Sequence, residues 1–133
     1  MLLNNVYIKK LNVPVYKTSL WIVVSNSVIK SIDTVEDLVD KKIIEPQDKK
    51  STVAYTYGYE DHQGKMRVII FVNDNVTPGT IAHEAHHALN IVLTWNGVKP
   101  SFTNDESESY YLEYIVDKVH NAVNSYIWQK ISV

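Results

Sequence analysis

The sequence predicts one α+β domain: a small, mostly antiparallel sheet packed on two C-terminal helices, in a chain of 133 residues. Three observations lead there. Runs rich in β-branched and aromatic residues, separated by turn residues, occupy much of the chain before Thr77. From Thr77 onward apolar residues recur at helical spacing. No repeat, low-complexity tract or linker divides the chain, and a chain of this length buries roughly two thirds of the surface it exposes when unfolded.

The elements follow in order. The N-terminus "MLLNNVYIKK" has no basic segment leading into an apolar core, so it does not read as a signal peptide. "VPVYKTSLWIVV", Val13 to Val24, reads as a strand closed by the turn-like "SNS", with Pro14 placing its start near an edge. "SIDTVEDLVDKKII" has Asp33 or Thr34 as N-cap and Val35, Leu38 and Val39 at helical spacing, which predicts a short helix ending before Pro46 and covering one face of the sheet. "STVAYTYGYE" and "KMRVIIFV" form a hairpin through Asp61, His62, Gln63 and Gly64. Its second strand, with the charge of Arg67, is expected at an exposed sheet edge able to hold an extended peptide. Two helices close the chain, Thr77 to about Asn96 and about Asn104 to about Trp128, with "GVKPSFT" between them.

Composition narrows the chemistry. Without cysteine, a zinc or iron site must draw on His, Asp or Glu, and no disulfide framework exists. The net charge of −2 and the scattered lysine pairs Lys9-Lys10, Lys41-Lys42 and Lys49-Lys50 argue against a surface that tracks phosphates, so nucleic acid is not an expected partner. No uncharged apolar run approaches the ~20 residues that cross a bilayer. The expectation is a cytoplasmic protein with no membrane partner.

The segment "TPGTIAHEAHHALNIVLTWNG" carries three of the five histidines. Thr77 is a good N-cap, Pro78 suits the first helical position and Gly97 supplies a left-handed stop. At about 100° per residue, Ile81, Ala85, Ala88, Leu89 and Val92 form one apolar stripe, while His83 and His87 lie about 40° apart on the opposite side. An i, i+4 histidine pair brings two imidazoles onto one ion. Glu84 lies about 60° round from His87, placed to meet a bound water without ligating the ion. With five His and seven Glu, a chance H-E-x-x-H arises roughly once in a hundred such sequences, and few would fall on a capped amphipathic helix. His86 is read as a neighbour of the site; an i, i+3 pair of His83 and His86 is the alternative.

The last helix offers two carboxylates. Leu112, Ile115, Val119, Val123 and Tyr126 define its apolar stripe; Glu108 falls inside that stripe, where a carboxylate needs a partner, and Glu106 lies on the flank. Thr103 and Glu106 also fit a capping box, which requires no metal. His120 is 14 residues beyond Glu106, about 21 Å along a helix, too far to share its ion.

Taken together, "TIAHEAHHALN" followed by "NDESESYYLEYIV" resembles the gluzincin-type zinc peptidases, and in particular the minimal HExxH proteins common in phage and bacterial genomes. The likeness covers about the last 55 residues. It implies a zincin-like fold, a zinc ion held by His83, His87 and Glu106, and peptide-bond hydrolysis with Glu84 as general base; Glu108 is the alternative third ligand. The larger members carry an Asp at the position of Tyr110, backing a histidine, and this chain departs from them there. Tyr110 or Tyr114 is the expected donor to the oxyanion. The expected partner is a peptide or protein substrate. Two other classes stay open: a non-catalytic zinc-binding regulatory or interaction module on the same fold, and a nucleic-acid-associated protein that cleaves a bound factor.

Overall fold

The computed structural model describes residues 2–16, 18–47, 52–99 and 105–132, with the side chains of Asp105, Glu106 and Ser132 outside the described part. Among these residues the strands are β1 (Leu2–Leu3), β2 (Val6–Asn12), β3 (Ser19–Ser25), β4 (Ala54–Glu60) and β5 (Met66–Asn73). The helices are α1 (Val28–Val39), α2 (Pro78–Trp95) and α3 (Asp105–Ser132). The strands form one mixed sheet in the order β1-β2-β3-β5-β4. β3 and β5 pair in parallel, and the other three ladders are antiparallel.

β3 and β5 run through the middle and are buried on both faces, which is why "SLWIVVS" and "MRVIIFVN" read as nearly continuous apolar runs. Leu20, Ile22, Val24, Val68, Ile70 and Val72 point to the α2 and α3 side. Trp21, Val23, Ile69 and Phe71 point to the α1 side, where they meet Ile32, Val35 and Ile43. Each fully buried aliphatic side chain contributes roughly 1.5–3 kcal/mol relative to exposure, so both layers hold the sheet.

Four expectations change. β1 and β2 lie in a stretch with no expected strand; Asn4 and Asn5, both at positive φ, make the two-residue turn between Leu3 and Val6 that asparagine tolerates. The strand expected from Val13 begins at Ser19, because the chain turns first: Val13 N–H donates to Thr18 O at 2.9 Å, and Tyr16 N–H donates to Pro14 O at 2.8 Å around Val15, whose φ is 69°. α1 starts at Val28, not near Asp33 or Thr34. Ser27 is its N-cap, accepting from Lys30 N–H at 3.3 Å, and the Ser25 and Ser31 hydroxyls meet at 2.6 Å beneath it. The residues read as a turn after a strand are therefore the helix's own cap.

The fourth change moves the edge. β5 is interior, and the free edge of the hairpin is β4. Arg67 does not mark an edge; it lies over the rings of Trp21 at 4.4 Å and Tyr59 at 5.6 Å, and donates to the Tyr59 hydroxyl at 2.6 Å. The hairpin loop is as expected, with Gly64 at φ +77° and Asp61 N–H donating to Lys65 O at 2.7 Å.

Asp61 also accepts from the backbone N–H of Gln63 at 2.8 Å and of Lys65 at 3.0 Å. The Lys65 N–H above all, with help from Gln63 N–H and the Arg67 charge, holds its carboxyl below the ordinary value of 3.8. A depressed folded pKa gives stability that is fully present above 3.8 and is lost as pH falls toward the lower folded value. Asp61→Asn should therefore flatten the fall in urea midpoint below about pH 4 relative to the wild-type chain; an unchanged slope would show that the turn does not contribute this way.

Candidate functional site

α2 forms for reasons written at both of its ends. Thr77 accepts from Thr80 N–H at 3.3 Å, Pro78 occupies the first turn, and Gly97, at φ +72°, lets Val98 N–H close back on Leu93 O at 2.9 Å. Ile81, Ala85, Ala88, Leu89 and Val92 are all buried, so the apolar stripe faces the sheet and α3 as the wheel predicts. That leaves His83 and His87 exposed on the outer side.

Their rings stand edge to face with centroids 4.6 Å apart, and the two Nε2 atoms lie at 3.1 Å. At that separation the nitrogens share either a proton or an ion. Two imidazole ligands of a tetrahedral zinc, each at 2.0–2.1 Å from it, are separated by about 3.3 Å, close to the spacing of this hydrogen-bonded pair.

Glu84, one residue from His83, turns toward the edge strand and is only 8% exposed. Burying a carboxylate without a partner is costly. Its Oε1 accepts from the Thr56 hydroxyl at 2.8 Å, with the Glu84 carbonyl oxygen 3.3 Å from the same hydroxyl. Thr56 lies on β4, whose alternation "AYTYGY" puts Ala54, Thr56 and Gly58 on one face and Tyr55, Tyr57 and Tyr59 on the other. The small face lets α2 come close: a Cβ added at Gly58 would sit 2.9 Å from Ile91 Cγ2.

Between β4 and α2 an open cleft of about 740 Å³ runs from Glu84 and His87 past Ile91 to Trp95, with Thr56 and Met66 in its wall. From Glu84 to Trp95 it spans about 16 Å of helix. Its lining is mainly apolar, and Trp95 leaves 44% of its surface exposed there.

On the opposite flank of α2, His86 and Asn90 share a cavity of about 240 Å³ with Glu108, Ser109 and Leu112 of α3. His86 is exposed, its Nδ1 3.4 Å from Asn90 Nδ2, and Glu108 Oε1 is buried with no hydrogen-bond partner among the described residues. The side chain of Glu106 lies outside the described residues, as does Thr103 of the expected capping box. Among the described residues, the only three His, Cys, Asp or Glu whose ligand atoms lie within 4.8 Å of one another are Asp33, Glu36 and Glu45. No described carboxylate therefore joins His83 and His87 at that range. Tyr110 is 58% exposed, edge-on to Tyr111 at 5.5 Å; neither it nor Tyr114, which lies under Lys118, lines the cleft. His120 is exposed on α3.

Sequence reasoning missed two features. Thr56 carries no motif, although the strict small/tyrosine alternation of its strand signals a close approach on the small side. The acidic trio sits by α1 on the other side of the sheet; Asp33 and Glu36 are neighbours at i, i+3, but Glu45 joins them only through the chain's return, in which Ile43 N–H donates to Glu36 Oε2 at 2.7 Å.

Compared with family models, curated proteins and solved structures, the chain matches none. No helix of the described residues is long and apolar enough to cross a membrane.

Gly58→Ala tests the close approach of α2 to β4. Its methyl has to displace Ile91, so the variant should lose about 1–3 kcal/mol in urea unfolding; equal or higher stability would mean that the helix does not rest on the strand there.

Proposed function

We propose that this chain is a zinc-dependent metallopeptidase of zincin-like fold. The observation that carries the reading is the exposed His83 and His87 pair, Nε2 atoms 3.1 Å apart, with the buried carboxylate of Glu84 on the adjoining flank of the same helix. The resemblance of the HEAHH segment and the helix after it supports the same reading. His83, His87 and Glu106 would hold the ion, Glu106 by the resemblance and by its place in the first turns of α3. Glu108, whose buried Oε1 lacks a partner among the described residues, is the alternative.

Zinc, when bound, supplies a Lewis acid that lowers the pKa of water to about 7 and polarises a carbonyl. The chain supplies the rest. The free edge of β4 offers main-chain groups to an extended peptide, and the cleft below it takes an apolar side chain. Glu84 accepts a proton as the water oxygen bonds to the carbonyl carbon, then passes that proton to the amide nitrogen as the C–N bond breaks. The products are a carboxylate-ended and an amine-ended peptide.

One experiment addresses ligands and base together: metal content by native mass spectrometry, and cleavage of a diverse peptide mixture, for the wild-type chain and single variants. The wild type should carry one zinc, and His83→Ala, His87→Ala and Glu106→Ala should lose it. Glu84→Gln should keep the zinc and lose on the order of 10²- to 10⁴-fold in kcat/KM. Full zinc in both Glu106→Ala and Glu108→Ala would sink the assignment of the third ligand. One zinc bound by a wild-type chain that cleaves nothing would favour a non-catalytic zinc-binding module.

A further inference from the structure

We infer that Thr56 is a positioning residue for Glu84: its hydroxyl, presented by the edge strand, selects which carboxylate oxygen faces the reacting water. The inference rests on the hydrolase reading above. A glutamate has three side-chain torsions, and on an exposed helix face it would sample several rotamers. Here Oε1 is tied to Thr56 at 2.8 Å, the usual distance of a hydroxyl hydrogen bond, and the residue is 8% exposed. A hydroxyl has one proton to give. Donated to Oε1, it commits that oxygen to the sheet and leaves Oε2 as the oxygen free to take a proton.

Two features make this a fixed arrangement. Thr56 is half-buried in a strand paired along its length with β5, from Ala54↔Val72 to Glu60↔Met66, so its hydroxyl does not wander. Two residues on, Gly58 removes the side chain that would lift α2 from the strand, with Ile91 resting directly above it. Threonine's branched Cβ restricts the hydroxyl further. The strand that fixes Glu84 is also the sheet's free edge, so a peptide pairing with β4 would lie on the strand that orients the base.

The test compares Thr56→Val, Thr56→Ser and wild type as zinc-loaded full chains, acting on fluorescently labelled denatured casein and on the fastest-cleaved peptide of the mixture. Thr56→Val should retain its zinc and its KM and lose on the order of 100-fold in kcat, the scale of a misplaced reacting group. Thr56→Ser, which keeps the hydroxyl, should recover most of that loss. A readout independent of activity comes from urea midpoints of the metal-free chain for Thr56→Val, Glu84→Leu and the double variant, in which the double should lose less than the sum of the single losses. Additive losses overturn the contact, and wild-type kcat in a zinc-loaded Thr56→Val overturns the role while leaving the hydrolase reading standing. A wild-type chain that holds zinc and cleaves neither substrate overturns both.

Discussion

The close approach of α2 to β4 is the constraint on which the rest of the site depends. Gly58 has no side chain, Thr56 is short, and Ala54 is small, so the helix lies against the edge strand instead of riding over it. With the Ile81 to Val92 stripe anchored in the core, the rotation of the helix has no remaining freedom. His83 and His87 must then point outward, Glu84 toward β4 and His86 toward α3. A stripe of about five apolar residues thus decides the placement of four polar ones.

The two flanks of α2 solve the problem of buried carboxylates differently. On the β4 side Glu84 is almost wholly buried and its Oε1 is satisfied by a hydroxyl. On the α3 side Glu108 lies in the apolar stripe of its own helix and its Oε1 meets no donor among the described residues. A buried carboxylate oxygen without a donor is costly in any protein. The contrast puts the hydrogen-bonded carboxylate on the β4 flank of α2 and the other beside His86, across the helix.

Much of this was legible beforehand, and the reason differs by element. α2 was readable in full because cap, stripe and stop are local, and the hairpin because Gly64 and the loop length are local too. The start of α1 was misread since Ser27 serves as a cap only when Val28 and Ile32 have a sheet to face. The edge went to the wrong strand because pairing order is non-local: β3 returns in parallel beside β5, covering the side that the hairpin alone would leave open. Thr56 could not be found from a motif, since its partner is 28 residues away and the contact exists only once the helix is laid on the strand. Of the site, His83, Glu84 and His87 were visible in the spacing. The burial of Glu84 against β4 and the cleft beside it needed the fold.

An ordinary polar patch and a hydrolytic centre make different demands on His83, Glu84 and His87. A patch is served by solvated side chains, whereas here the two imidazoles are drawn together, Nε2 to Nε2 at 3.1 Å. It has still less use for a glutamate withdrawn from water, since burying that charge is unfavourable unless something holds it. In this helix the two imidazoles are open to solvent, and the carboxylate is buried and bound to Thr56. A buried carboxylate held by a hydroxyl, in the wall of a cleft and on the same helix as the paired imidazoles, is the arrangement that the proposed proton transfer would use.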